Sequence, residues 1–596
     1  MSIPPELPRD PLVPRPIDLP TPVPLEPDAD LGQLDGAKIF IAPDDPADWP
    51  AWRAALHRWR AEASARIGYD DAAYAAPEYA WTRSCHVVAL AWLWDELLFD
   101  HDAGRFTPER FCDESKAEFG GFDGIVLWHA YPVIGIDDRN QFDYYRDVPG
   151  IRDLVAELQA RGLRVFVNYN PWDVGTRREP VADDLAIAEL VRELGVDGVF
   201  LDTMKEAQPG LRAALDAVKP GIALEGESTL PLARTCDHHL SWAQWFSDSA
   251  VPGVLRARWF EQRHMLHHTR RWNRDHAEEL HSAWLNGVGM LVWENVFGAW
   301  VGWSERDKAL LRAMRPVQRE YADLLSTGEW TPLAAASADT QVVASRWSDG
   351  ETTLWTVANR GPAYAGPVGE LEVDLPALGI AAFVGTEQIV VSGGGDQGFP
   401  AREAVRAEPP VVRVDEPPTG FAAVEPRPLT AVFRRRETGT YGEAPYVEEW
   451  KPLPPRLHDF VEVERPAPRG RFAIGIREVA DPSGAPLTGL DLAEARANAA
   501  AAGARLPTED EWQLAAEAGV LERLEPLVWN WTESEHSDGR TRFAILKGGS
   551  GWLPEGSDWY VDGGPQDARY SLKLLLLGAG MARSPRIGFR LAVDLP

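Results

Sequence analysis

Residues 195–207, GVDGVFLDTMKEA, and residues 220–229, PGIALEGEST, decide how this chain is read. Gly198-Val199-Phe200-Leu201 is a short apolar run that ends in Asp202. Ile222-Ala223-Leu224 is a second, followed by Glu225 and Glu227. Between the two, Gly210 to Val218 carries its apolar residues at helical spacing. Parallel strands buried on both faces are nearly continuous apolar runs, and acids at their C-terminal ends are usually chemical. The stretch therefore reads as strand, helix and strand of a parallel repeat, with carboxylates closing both strands.

The same pattern extends in both directions. His86 to Trp94, Gly124 to His129 and Leu163 to Asn168 precede as strands one to three. Helices follow them from Thr107-Pro108-Glu109, over Gly150 to Arg161 and over Asp183 to Leu194. His239 to Trp245, Arg263 to His268 and Gly287 to Glu294 follow as strands six to eight, with a helix from His276 to Leu285 before the last. The alternation predicts a TIM (β/α)8 barrel over residues 37–325, within a multidomain α/β chain. Residues 1–36 read as a Pro-rich arm, and Asp48 to Ala65 as a helix bearing Trp49, Trp52 and Trp59. Residues 326–392 read as a small β-sandwich, from the runs Gln341 to Arg346, Thr352 to Ala358 and Gly369 to Val373. Residues 393–457, rich in Gly, Pro and charge, read as a linker and irregular lead-in to a last domain over 458–596.

Composition narrows the partners. A net charge of −31 argues against nucleic acid and against an anionic membrane surface. Cys85, Cys112 and Cys236 offer neither a disulfide framework nor metal-ligand spacing, which suits a reducing compartment. With no apolar run of signal-peptide or bilayer-spanning length, a cytoplasmic location is expected. Oligomeric state is not readable. The 25 Trp residues supply flat faces on which sugar rings stack, although packed cores also use Trp.

The strand ends collect polar and aromatic groups: Trp94 and Asp95 after strand one, Trp128, His129 and Tyr131 after strand two, Asn168, Asn170 and Trp172 after strand three. Strand six offers Trp242 and Gln244, strand seven Arg263 and His264, strand eight Trp293 and Glu294. Such a rim suits a carbohydrate. His264, His267 and His268 also have helical metal spacing, but a packed or hydroxyl-binding role is the simpler reading, and no metal is expected there.

With DGVFLD closing strand four and ALEGE closing strand five, the barrel resembles retaining glycoside hydrolases of the α-galactosidase and α-amylase type. The resemblance covers roughly residues 80–390. It implies hydrolysis of an α-linked glycoside without a cofactor. Asp202 would be the nucleophile and Glu225 or Glu227 the acid/base, two carboxyls about 5 to 5.5 Å apart in a retaining enzyme. The bland alternatives are a capping Asp202, an Arg-paired Glu, and a sugar-binding or scaffold barrel without catalysis.

The last domain carries a separate signature. RLPTEDEW over Arg505 to Trp512 opens a helix at Thr508 with Glu511 as a capping box. Arg477-Glu478-Val479 precedes it. Val528-Trp529-Asn530-Trp531-Thr532-Glu533, Leu546-Lys547-Gly548-Gly549-Ser550 and Arg586-Ile587-Gly588-Phe589-Arg590 follow. In that order they resemble the formylglycine-generating, sulfatase-modifying domain, a C-type-lectin-like fold. That family binds copper through a cysteine pair, and this chain has no cysteine after Cys236. Soft Cu(I) needs thiolate ligands, so the domain is expected to be non-catalytic, with a structural calcium as the metal its oxygen ligands could hold. A metal-dependent oxidase of that family or of the sulfoxide synthases is the remaining alternative.

Overall fold

The computed structural model describes residues 20–129, 136–171, 177–244, 248–270, 275–296, 299–395, 398–400, 402, 405–438, 446–448, 459–553 and 563–596. Eight parallel strands close into a barrel: β1 (Val87–Trp92), β2 (Gly124–Trp128), β3 (Arg164–Tyr169), β4 (Gly198–Leu201), β5 (Ala223–Gly226), β6 (Leu240–Gln244), β7 (Met265–Thr269) and β8 (Gly289–Val292). β8 pairs with β1 through Met290, Leu291 and Val292, which closes the ring. Along each strand one set of side chains fills the interior and the alternate set meets the helices. Val88, Leu90 and Trp92 share one apolar cluster with Phe166, Phe200 and Trp242, whereas Ala89 and Ala91 belong to another with Leu154, Val191 and Leu215 of the surrounding helices.

The helices form where the apolar spacing predicts them. The helix after β1 spans Pro108–Phe119, but Thr107 does not cap it: its hydroxyl donates to the Leu97 carbonyl at 3.0 Å. Within the N-terminal arm, residues 1–19 lie outside the description. Thr21 exchanges backbone hydrogen bonds with Ile39 and Ile41 at 2.8 Å, and Leu31 and Leu34 are buried.

After the barrel, Glu329–Ala336, Val342–Ser348, Thr353–Asn359, Ile380–Val384 and Glu387–Ser392 form an antiparallel five-stranded sheet. The hairpin Tyr364–Val368/Leu371–Leu375 packs on it through Val368, Leu371 and Val373 against Val342, Trp355 and Phe383.

The segment expected to be a linker is not irregular throughout. Phe421–Val424 pairs with Phe472–Gly475, and Leu429–Thr438 pairs with Asp459–Arg465, so both belong to the C-terminal unit. Leu429, Ala431 and Phe433 alternate inward and are buried; the surrounding Pro and charged residues obscure that period of two in the sequence. Further on, Thr508 caps the helix Glu509–Glu517 in a reciprocal box with Glu511. The singled-out motifs meet in one buried network. Asn530 accepts from Trp512 Nε1 and Arg590 Nε, both at 2.9 Å, and Glu478 pairs with Arg523 and Arg590 at 2.7 Å. These motif residues thus tie the interior of the unit together.

This unit rests on the barrel. Leu577, Met581 and Ala582 share a core cluster with Leu93, Trp94 and Leu98, beside Phe99. The hairpin formed by Trp529–Ser537 and Arg542–Lys547 packs its turn against the segments that follow β1 and β8.

Candidate active site

β4 and β5 pair in parallel with Phe200 opposite Glu225 and Leu201 opposite Gly226. The Asp202 amide still donates to the Tyr169 carbonyl at 2.9 Å, so the ladder outlasts β4 by one residue. Continuing the register puts Asp202 level with Glu227, and Glu225 one layer deeper, level with Phe200. The two glutamates that sequence left equivalent are therefore at different depths.

Glu225 is fully buried and its Oε1 lies 2.5 Å from His267 Nδ1. The other ring nitrogen of His267 is 2.8 Å from the Cys85 carbonyl. Burial works against charge on this ring, but the Glu225 carboxylate more than offsets it and holds the imidazole above its ordinary range. Glu227 instead accepts a hydrogen bond from the backbone amide of Thr203, the residue after Asp202. The turn closes with Met204 donating to the Leu201 carbonyl at 3.1 Å and Glu227 donating to the Met204 carbonyl at 2.9 Å. Gly226 permits this approach, since a Cβ there would lie 2.6 Å from the Lys205 carbonyl oxygen. Thr203 has φ +62°, a left-handed conformation that a β-branched residue adopts only under constraint. Asp202 and Glu227 are thus joined through one strained peptide.

Tyr145 is a neighbour that the sequence did not single out, lying on the short helix Asp143–Arg146 after β2. Its hydroxyl donates to the Leu127 carbonyl at 2.6 Å and accepts from the Asn168 amide at 2.8 Å. Burial, and then the charge of Asp202, keep it protonated well above the usual phenol range. No residue pattern in DYYR marks this role; it emerges only from the loop's return to β3.

The barrel interior beside these carboxylates is aromatic. Phe200 stacks on Trp242 at 4.5 Å, Trp242 meets Trp293 at 6.2 Å, Trp293 meets Trp128 at 5.4 Å, and Trp128 meets Trp92 at 5.7 Å. All are buried. Trp128, Trp242 and Trp293, expected on the carbohydrate-binding rim, are buried and pack against one another.

The remaining rim residues divide. His129 is buried against Tyr144, ring centroids 5.0 Å apart, and burial lowers its pKa to about 3. Asn168 is buried beside Tyr145, and Asn170 exchanges backbone hydrogen bonds with the Gln141 side chain at 2.7 and 2.8 Å. Trp94 points away from the mouth, packing on Phe99 and Phe106 at 5.0 and 5.7 Å. Tyr131, Trp172 and the side chain of Gln244 lie outside the described residues, as do residues 271–274 and 297–298.

Arg263 and His264, expected at the mouth, do not lie there. They precede β7, so they lie at the barrel's opposite end, where the strand begins. Arg263 pairs with Glu261 and Asp71, and His264 bonds Tyr74 at 2.8 Å and Ser241 at 2.7 Å. His267 faces Glu225 inside the barrel, and His268 is influenced by Glu279 of the helix Ala277–Asn286. The three histidines thus serve separate neighbourhoods.

Asp95 and Glu294 meet across the β1–β8 seam, around a residue from the C-terminal unit. Arg540 binds Asp95 through Nε and Nη2, each at 2.9 Å, and its Nη1 is 3.6 Å from Glu294. Burial opposes the charge on Arg540, but the Asp95 pair prevails and keeps it cationic. The Glu96 amide donates to the Arg540 carbonyl at 2.9 Å, and Asn295 donates to the Thr541 hydroxyl.

No protein-family model matches this chain, and no curated protein matches it. Comparison with solved structures gives low similarity. A cyclic α-maltosyl-(1→6)-maltose hydrolase from Arthrobacter globiformis is 13% identical, over 51% of this chain and 99% of its own, with a TM-score of 0.33. A debranching enzyme of Nostoc punctiforme, soaked with acarbose, is 11% identical over 53% and 99%, with a TM-score of 0.34. An α-amylase from Geobacillus thermoleovorans is 11% identical over 46% and 87%, with a TM-score of 0.31.

Proposed function

We propose that the barrel is a retaining glycoside hydrolase acting on an α-linked glycoside, with Asp202 as nucleophile and Glu227 as acid/base. The observation that carries this reading is the level pairing of Asp202 and Glu227 at adjacent strand ends, joined by the strained Thr203 amide. Asp202 attacks the anomeric carbon while Glu227 gives its proton to the leaving oxygen; Glu227 then takes a proton from the water that releases the sugar. Both carboxyls lie on rigid elements, and the amide of Thr203 fixes the orientation of Glu227. Glu225 is assigned to structure, because its bond to His267 leaves it inside the barrel. The test is leaving-group dependence on aryl α-glycosides. Glu227→Gln should slow poor leaving groups far more than good ones, whereas Glu225→Gln should affect both alike. The opposite pattern would exchange the two roles.

The C-terminal unit is proposed to be a sulfatase-modifying-type domain without oxidase chemistry. The motif order and the network joining Trp512, Asn530, Arg590 and Glu478 support that kinship, and the missing cysteines argue against copper. A second reading, a sugar-binding barrel without turnover, draws on the entry of Arg540 beside β1 and β8. Saturable sugar binding without hydrolysis of any α- or β-glycoside would favour it.

A further inference from the structure

The ends of β1 and β8 border a space that the catalytic proposal does not use. A cavity of about 320 Å³ lies between β1, the helices Pro108–Phe119 and Glu305–Glu320, and the C-terminal hairpin. That is the lower end of the range for small-molecule pockets. Ala91, Leu97, Phe111 and Phe119 line one part with carbon.

The other part is polar, and its charges are unevenly partnered. Asp95 is paired with Arg540, and Glu118 with Lys308. Two acceptors are left short of donors. Glu294 is 8% exposed, and its contacts, the Trp303 amide at 3.4 Å and Arg540 Nη1 at 3.6 Å, are longer than good hydrogen bonds. Asn295, 4% exposed, gives its Nδ2 to Thr541, while its Oδ1 has no hydrogen-bond partner among the described residues. A buried acceptor without a donor is costly, so two on one cavity wall mark a place for a group that brings donors. An anion would bring acceptors to acceptors. A cation would find Asp95 and Glu118 already taken by Arg540 and Lys308, and would meet Arg402 beside the remaining Glu114 and Glu294. A neutral molecule with several hydroxyls and a carbon face meets neither objection.

We propose that this inter-domain cavity is a binding site for a neutral polyhydroxylated molecule of one or two sugar rings, held by Glu294 and Asn295 and resting on Leu97 and Phe111. It stands at the β8–β1 seam, across the barrel from β4 and β5, and does not require the barrel to hydrolyse anything. Because Arg540 belongs to one wall and Glu294 to another, the ligand also ties the C-terminal hairpin to the barrel.

Titration calorimetry of the full chain with glucose, with maltose and with ethanolamine as an amine probe tests this. Saturable binding of one of the sugars is expected. Ala91→Phe, which fills the cavity, should weaken it at least tenfold, and Asn295→Ala, which removes the acceptor without filling space, should weaken it several-fold. Asp202→Asn should leave it within twofold. Melting curves of each variant separate loss of the site from loss of the fold. Sugar binding lost in Asp202→Asn but kept in Ala91→Phe would place the sugar in the mouth and overturn the proposal. Tighter binding of ethanolamine than of either sugar would overturn the ligand class, and no saturable sugar binding at tens of millimolar would overturn the site.

Discussion

Both ring nitrogens of His267 face acceptors, the Glu225 carboxylate and the Cys85 carbonyl, so the pair must hold a proton at each contact. Replacing Glu225 with Gln removes the carboxylate and leaves that proton without its charge partner, at a cost on the order of 3–5 kcal/mol. Thermal melting should show a large fall for Glu225→Gln and a small one for Glu227→Gln; equal falls would contradict the assignment of depth. Thr203→Gly relieves a left-handed threonine and should leave the fold unchanged or more stable by up to about 1 kcal/mol, read from denaturant melts. The sequence showed the acids but not their depth. Glu225 and Glu227 fall on the same face by alternation, and only the register with Phe200 and Leu201 separates them. Arg263 and His264 were misplaced for a related reason: an apolar run does not announce which polar neighbours stand at its start and which at its end.

At the scale of elements, the turn carrying Arg540 is the contact that couples the two halves. Its ion pair with Asp95 spans 445 residues of sequence and is buried. Arg540→Ala strands Asp95 without its cation and should lower stability by about 3–5 kcal/mol, whereas Arg569→Ala, at an exposed ion pair, should leave it nearly unchanged. Chemical denaturation checks both. Thr508→Ala, which removes a reciprocal cap, should cost about 1 kcal/mol by the same method. All eight barrel strands were legible: six are short, bounded apolar runs, as burial on both faces requires, while β6 (LSWAQ) and β7 (MLHHT) carry polar residues within the run and were placed by the alternation with helices. The pairing of Leu429–Thr438 was not legible, since its inward residues are only every second one and prolines crowd both flanks. The approach of Arg540 to Asp95 could not be read at all. Nothing local in either segment refers to the other.

Taken whole, the molecule buries histidines in neutral form. Burial lowers His86 and His129 to about 3, and His239, His268 and His281 to about 4. Below about pH 6.5 the unfolded chain takes up protons that these native side chains refuse, so stability falls as pH drops from about 6.5 towards 4. Each net proton contributes about 1.4 kcal/mol per pH unit. His267 has the opposite sign: its pKa is raised, so its contribution is complete below about 6.5 and is lost as pH rises through its native value. Melting temperature against pH should therefore fall steeply on the acid side, and a flat profile between pH 7 and 4.5 would contradict the buried neutral set. The central claim concerns the mouth of the same barrel, where Asp202 is held to attack an anomeric carbon. The most direct measurement is the hydrolysis rate of an aryl α-glycoside by the wild-type protein and by Asp202→Asn, with the melting temperature of each recorded alongside. The account predicts turnover by the wild type and loss of nearly all of it in a variant that melts normally; an undiminished rate in Asp202→Asn would contradict it.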